Sequence, residues 1–451
     1  MDIHPDRSHR LLKKSLHVLL LTVIGAPSVS WALDVGYSLG YGLEYTDNAY
    51  LTADNTQDEW TNSARLGFSL IHNSPALEAN IASNVEYRNY KNNTYPDETL
   101  FGLNLFSKWN ISPQRFSWTV EDYYTQTVIN VVEPSTPNNQ QNENIASTGP
   151  NFVMHLSPVN TLEFGARYAR NTYQTSDIDN TRTSGFTNWA YQSSPSIRLS
   201  LNLDVETVNY DNQAGGVNSN FTHRDAFVQL LHRIARNEFV LDGGTTRINL
   251  ENADDVTGGL WRLRWTRQIS TASDVAVYAS SVLSDAGQQA LSQGQAAELG
   301  SIQPNFSIPV VSGDVFRERS LQMVYAYKRL FGRNTFRVYR QMDDYRISPS
   351  DEDRFGGSFS VGHDFSEALT VAIFGGYERV ENLETDPHLI YRDKTAGVRL
   401  VHRLKRRLFL GLDLGQNWRD SDPGYTNNYT EHRGLLTLTY SDIRRVTTRQ
   451  Y

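Results

Sequence analysis

Residues Asp34 to Tyr45 (DVGYSLGYGLEY) alternate strictly. Val35, Tyr37, Leu39, Tyr41, Leu43 and Tyr45 are apolar, while Asp34, Gly36, Ser38, Gly40, Gly42 and Glu44 are small or polar. Side chains of a strand point to opposite faces with a period of two, whereas a helix would scatter these six apolar residues around its circumference. Soluble strands run to about 5–6 residues, and a strand tilted across a bilayer needs roughly 9–11. The segment is long enough to cross. The alternation recurs: Leu77, Ala79, Ile81, Val85 and Tyr87 oppose Glu78, Asn80, Asn84, Glu86 and Arg88. Ile197 to Val205, Trp261 to Trp265, Leu369 to Tyr377 and Leu408 to Leu414 behave alike.

Composition removes the competing classes. Hydrophobic residues are 39% and charged residues 20%, with 24 Tyr, 19 Phe, 8 Trp and no Cys. A disordered chain of this polarity would be poor in aromatics. A chain without thiols has neither a disulfide framework nor a cysteine metal site. An α-helical membrane protein needs several apolar runs of about 20 residues, which are missing.

The first 32 residues read as a secretory leader. Arg7, Arg10, Lys13 and Lys14 form a basic region, Leu16 to Ala26 a short apolar run, and Ser30-Trp31-Ala32 a small-x-small site, with cleavage expected between Ala32 and Leu33. The whole chain carries 42 Lys/Arg and 50 Asp/Glu, and the leader removes four and two, leaving a mature charge of −10. That balance offers no footprint for nucleic acid.

Connections alternate between short and long. Tight links are expected at Asn73-Ser74-Pro75, Ser112-Pro113-Gln114, Ser157 to Asn160, Ser194-Pro195-Ser196, Arg236-Asn237, Ser270-Thr271-Ala272, Gly332-Arg333-Asn334, Ser366-Glu367 and Lys405-Arg406. Between them lie polar stretches such as Asn48–Gln57, Ile129–Asn142, Tyr210–Asn220, Ser284–Gly313 and Asp420–Asn427. Short periplasmic turns and long outer loops are the layout of an outer-membrane barrel. The expectation is an all-β chain: a transmembrane antiparallel up-and-down β-barrel over residues 33–442, with a tail at 443–451. About 20 strands can be counted, with 18 the nearest alternative. Thr183–Gln192 and Phe336–Asp344 are the least regular, and Pro150 inside a strand predicts a bulge or an interrupted ladder.

In such a barrel the apolar face meets lipid and lipopolysaccharide, and the other face lines the lumen. The charges expected there are Arg65, Glu78, Glu86, Arg88, Lys108, Glu121, Glu163, Arg167, Arg198, Asp204, Glu206, Arg262, Arg264, Lys328, Glu378, Arg399 and Asp413. Their mixed signs argue against a strongly anion-selective pore. Two readings stay open: the charges pair across strands and keep the interior wet, or some of them form a track for a sugar polymer. The Ser284–Gly313 connection is long enough to be functional, either folding inward as a constriction or standing outside.

Chemistry-bearing motifs are weak. Gly36-Tyr37-Ser38-Leu39-Gly40 fits G-x-S-x-G, but it lies mid-strand rather than on a strand-to-helix turn. The eleven histidines show no metal-ligand spacing. His363-Asp364 are adjacent strand residues and point apart. No catalytic residue and no cofactor is expected.

Gly42-Leu43-Glu44-Tyr45-Thr46-Asp47-Asn48-Ala49-Tyr50-Leu51-Thr52, followed by Asp58-Glu59-Trp60, resembles the start of the β-barrel porin 2 type of outer-membrane protein. Asn144 to Pro150 and Leu162 to Tyr168 are similar to it too. The resemblance implies a non-enzymatic channel or scaffold in exopolysaccharide secretion, with a polysaccharide and periplasmic export components as partners. The alternatives are a general small-solute porin, a closed structural or adhesive barrel, and a barrel hydrolase. The C-terminus departs from the usual ending on an aromatic: the last clear strand stops near Tyr440, leaving the closing strand open.

Overall fold

The computed structural model describes residues 33–130, 132–212, 220–289, 313–348, 350–383, 389–422 and 428–442. The expected leader (1–32) and tail (443–451) lie outside them. Twenty strands follow in chain order: β1 (Asp34–Thr46), β2 (Glu59–Asn73), β3 (Leu77–Tyr90), β4 (Glu98–Ser112), β5 (Phe116–Val128), β6 (Gln140–Ser157), β7 (Asn160–Tyr173), β8 (Asn180–Ser194), β9 (Ile197–Tyr210), β10 (Phe221–Ile234), β11 (Asn237–Leu250), β12 (Val256–Ser270), β13 (Ser273–Asp285), β14 (Val315–Arg329), β15 (Gly332–Tyr345), β16 (Glu352–Asp364), β17 (Leu369–Asn382), β18 (Leu389–Lys405), β19 (Leu408–Ser421) and β20 (Tyr429–Ser441). Each pairs antiparallel with the next. β20 returns to β1, from Ser38 opposite Ser441 to Thr46 opposite Arg433, so the sheet is closed and its closing strand is the one that ends beside Tyr440.

The faces sort as the alternation requires. Leu39 and Tyr41 of β1, Leu66 of β2, Leu321 and Met323 of β14 and Leu414 of β19 are all more than half exposed on the outer face. Aromatic pairs stand near both ends of this band. Tyr45 packs on Trp60 at 4.9 Å near the loop end, while Tyr37 on Tyr440 (5.9 Å) and Phe239 on Trp265 (6.1 Å) lie near the turn end.

Two details differ from expectation. The turn placed at Gly332-Arg333-Asn334 is Leu330-Phe331, because β15 starts at Gly332, whose backbone approaches the Gly362 carbonyl too closely for a Cβ. The irregular stretches are ordinary strands. Thr183, Gly185 and Thr187 put short polar residues on the outer face of β8, and the outward Arg340 and Asp344 of β15 are matched by Asp353 and Arg319. Pro150 interrupts a ladder: β6 and β7 pair up to Thr148–Tyr168 and resume at Asn151–Gly165 in the same register.

The two faces of β1 give a direct test. Leu39→Arg, on the lipid face, is expected to cost about 2–4 kcal/mol in denaturant unfolding from lipid vesicles, whereas Ser38→Arg, on the lumen face, costs much less. Equal costs would show the faces to be misassigned.

Candidate functional site: the lumen and its mouth

Register places all seventeen expected charges on the inner face, opposite the exposed apolar residues. Several come together. Glu86 Oε1 accepts from Arg65 Nη2 and from Arg88 Nε, both at 2.9 Å. Glu78 lies opposite Lys108, and Arg167 is in charge contact with Glu121 and Glu163. Arg399 Nε meets Asp413 Oδ1 at 2.6 Å. Others pair with residues that alternation alone did not single out: Glu206 with Arg182 (2.9 Å), Arg262 with Asp242 (3.4 Å), Arg264 with Glu238 (3.2 Å) and Glu378 with the Tyr339 hydroxyl (2.6 Å). Asp204 lies opposite Asp225, which His223 holds at 2.9 Å. Arg198 and Lys328 sit at the turn end, as Glu78 and Lys108 do, with Lys328 opposite Arg333.

Three of these arginines share a support. The Phe186 ring lies over Gly165 and the Phe374 ring over Gly397, while the main chain of β10 at Ala226 and Phe227 closes on Gly244, and none of the three glycines has room for a Cβ. Over the rings of Phe186, Phe227 and Phe374 stand the guanidinium groups of Arg167 (5.5 Å), Arg262 (5.4 Å) and Arg399 (5.7 Å). A ring on the inner wall gives each cation a fixed seat, and the stacking leaves the planar edge of the guanidinium to donate.

The mouth departs from a simple tube at two seams. β11 and β12 stay paired to Ile248–Val256, but β12 and β13 part after Trp261–Ser281, while β13 and β14 run on together to Asp285–Val315. This free hairpin end turns into the barrel. Leu283 and Val315 pack with Tyr173, Val208, Tyr210, Phe221 and Ile248, inner-face residues of β7, β9, β10 and β11. Arg317 covers Gly258 and donates to the Gly259 carbonyl at 3.4 Å. Asp285 ion-pairs with Arg182 of β8, both about 1% exposed, and Gly287 abuts Asn171 of β7. Of the long Ser284–Gly313 connection, residues 284–289 thus lie inside the barrel, and 290–312 lie outside the described residues.

At the second seam β3 and β4 pair to Arg88–Glu98, β4 and β5 part after Leu103–Tyr124, and β5 and β6 run on to Val128–Gln140. The loop beyond them crosses the mouth, where Arg419 of β19 donates to the Val132 carbonyl at 2.8 Å. Arg419 is itself fixed by Asp393 (2.6 and 2.7 Å) and stacked on Tyr391 at 4.3 Å.

The loop end is also strongly acidic. The ten connections there hold 17 Asp/Glu against Lys91 and Arg346, whereas the nine turns hold Arg115, Arg236, Arg406 and Arg407 against Glu367.

Among the described residues, neither the Ser38 motif nor the His223 cluster assembles a nucleophile. Ser38 stays mid-strand between Gly67 and Ser441. Thr246 and Asp225 both reach His223, but through the same Nε2 (2.9 Å each), so the ring cannot relay a proton between them. Among the described residues no group of three or more His, Asp or Glu is arranged to hold a metal.

No family model matches the chain, and no curated protein matches it. Solved barrels are similar in shape. OpdQ of Pseudomonas aeruginosa is 11% identical, over 91% of this chain and 100% of that one, with a TM-score of 0.39. A mutant of the ferric enterobactin receptor PfeA of the same organism, in complex with enterobactin, gives 8%, 92%, 82% and 0.49. A loop-deletion form of OmpT, an outer-membrane protein of Vibrio cholerae, gives 8%, 92%, 100% and 0.37. At this identity and TM-score nothing about function is drawn from them.

The Arg399–Asp413 pair is wet, with its side chains 57% and 33% exposed, so it is expected to matter more for ion choice than for stability. Arg399→Gln should change unfolding free energy by under about 1 kcal/mol. The unpaired Asp413 should move the reversal potential in a KCl gradient toward cations, and Arg399→Gln with Asp413→Asn should bring it back.

Proposed function

We propose that the protein is a non-enzymatic outer-membrane channel, and that its cargo is an exopolysaccharide leaving the cell. The observation that carries this reading is the lumen wall. A closed barrel with an apolar exterior has its polar, charged face inside, where water and hydrophilic cargo can run. Guanidinium edges seated on phenylalanine rings alternate there with carboxylates, so a sugar chain finds donors and acceptors in turn for its hydroxyl groups. Because most cations already have an acidic neighbour, no single site binds an ion tightly enough to stop passage.

The acidic mouth refines the cargo. A uronate-rich chain would be repelled by the loops, while a neutral or sparsely charged chain would pass them. The opening segment's resemblance to the β-barrel porin 2 type supports the export assignment. Lipopolysaccharide surrounds the barrel in this reading, and the basic turn end faces any periplasmic export component.

Planar-bilayer conductance of the purified mature chain tests the proposal. A current that neutral oligosaccharides block and acidic ones block poorly is the expected result. A cation preference that fades in molar salt, as screening of the loops requires, should accompany it. A steady current indifferent to sugars would make the protein a general small-solute porin. Hydrolysis of lipid or peptide by the solubilised protein would overturn the non-enzymatic reading.

A further inference from the structure

The in-turned end of the β13–β14 hairpin has no counterpart in a plain barrel, and it is built rather than incidental. Parting from β12 leaves the edge of Val256–Leu260 without its ladder partner. Unpaired backbone groups are costly where they are dry, so the split has to be offset. Arg317 donates to the Gly259 carbonyl, and the apolar residues of the tip are buried.

Glycine stands where the hairpin touches the wall or is touched by it. A side chain at Gly258 would collide with Arg317, and one at Gly287 with Asn171 and Arg182. Most telling is Arg182. It is 1% exposed on β8, five strands round the wall from β13, and it is held by Glu206 on one side and Asp285 of the hairpin on the other. A buried guanidinium needs its carboxylates, and buried carboxylates need their cation, so the two chain segments are tied to one another.

We propose that this hairpin end is the element that sets the width of the channel, with Arg182 and Asp285 as its latch, and that it leaves the lumen as a unit when the latch is broken. The proposal rests on the channel reading above and names the residues that determine which cargo fits. Leu283 and Val315 give the hairpin its apolar seat, while the ion pair fixes its position, because an apolar contact alone tolerates sliding. The latch residues are positioning residues: they act through the hairpin and need not touch the cargo.

The chain has no cysteine, which makes the test clean. Single-channel conductance is recorded for the mature wild type, Arg182→Gln and Asp285→Asn, with heat-modifiable electrophoretic mobility confirming that each barrel is folded. Asp285→Asn keeps the shape of the side chain and serves where Arg182→Gln fails to fold. Both variants are expected to raise conductance at least about twofold and to admit larger neutral oligosaccharides. Asn171→Cys with Gly287→Cys, combined with Asp285→Asn, should form a disulfide that returns conductance to the wild-type level, and a reductant should release it again. Failure of the Asn171→Cys/Gly287→Cys pair to form a disulfide under oxidant with Asp285 intact would show that the hairpin does not occupy the lumen, which overturns the proposal. So would a single conductance common to wild type, Asp285→Asn and the oxidised triple variant, with the channel reading left standing. No current from any variant, oxidised or reduced, would sink the channel reading and the width-setting role together.

Discussion

A backbone amide or carbonyl in lipid has no water to bond, and everything else in this molecule follows from meeting that demand. The ladder between β1 and β20 meets it for the sheet as a whole. Without that closure, Leu39 and Leu438 would flank unpaired edges inside the bilayer, each orphan group costing several kcal/mol. Closure dictates the period-two sequence, since every strand must then show one face to acyl chains and the other to water. It also explains why Pro150 is tolerated where it is: a prolyl ring has no N–H to orphan, and the ladder resumes in register one residue later.

The rule relaxes at the loop end, and that is where the structure becomes particular. Both seams open there, one just beyond Trp261 and the other beyond Leu103. Above the aromatic band, water or other chain segments can satisfy what a strand gives up. The wall is therefore free to spend residues on a second task, folding inward and gripping strands about a quarter of the way round. The grips are arginines in both cases: Arg182 on Asp285, and Arg419 on the Val132 carbonyl. A planar group with five donors can hold a neighbour on its own strand pair and still reach across.

Most of the wall was legible because lipid makes its demand residue by residue. DVGYSLGYGLEY announces β1, and eight of the nine turns carry Pro, Ser, Asn or Gly in or beside them, with the one expected at Gly332 displaced by two residues and the one at Arg406-Arg407 carrying none. β8 and β15 were faint because their outer faces carry Thr183, Gly185, Arg340 and Asp344 in place of aliphatic residues. Parity also assigns a charge to a face. It says nothing about its partner, so Glu206 was readable as a lumen residue while its tie to Arg182 was not. The inward hairpin was least legible of all. Contacts between strands five apart impose no period on either one, and the glycines at 258 and 287 look in sequence like ordinary loop punctuation.

On the proposed channel reading, charge and width are handled at different places, and the distances involved explain why. The field of the acidic loops is screened over about 8 Å at physiological ionic strength, so it acts in the vestibule and fades deeper in the barrel. Within the lumen many of the charges are matched in pairs such as Arg65–Glu86 and Arg399–Asp413, so a cargo would meet mostly short-range donor and acceptor geometry there. A single element serving both purposes would couple them, because moving a charged loop to widen the pore would also change the field at its mouth. The β13–β14 end avoids this. Its tip contacts are apolar, at Leu283 and Val315, and its charged contact, Asp285, is buried against Arg182 and so removed from the vestibule. On the proposed reading, how much fits through would be set at this buried seat, and which sign of charge is admitted would be set at the exposed loops.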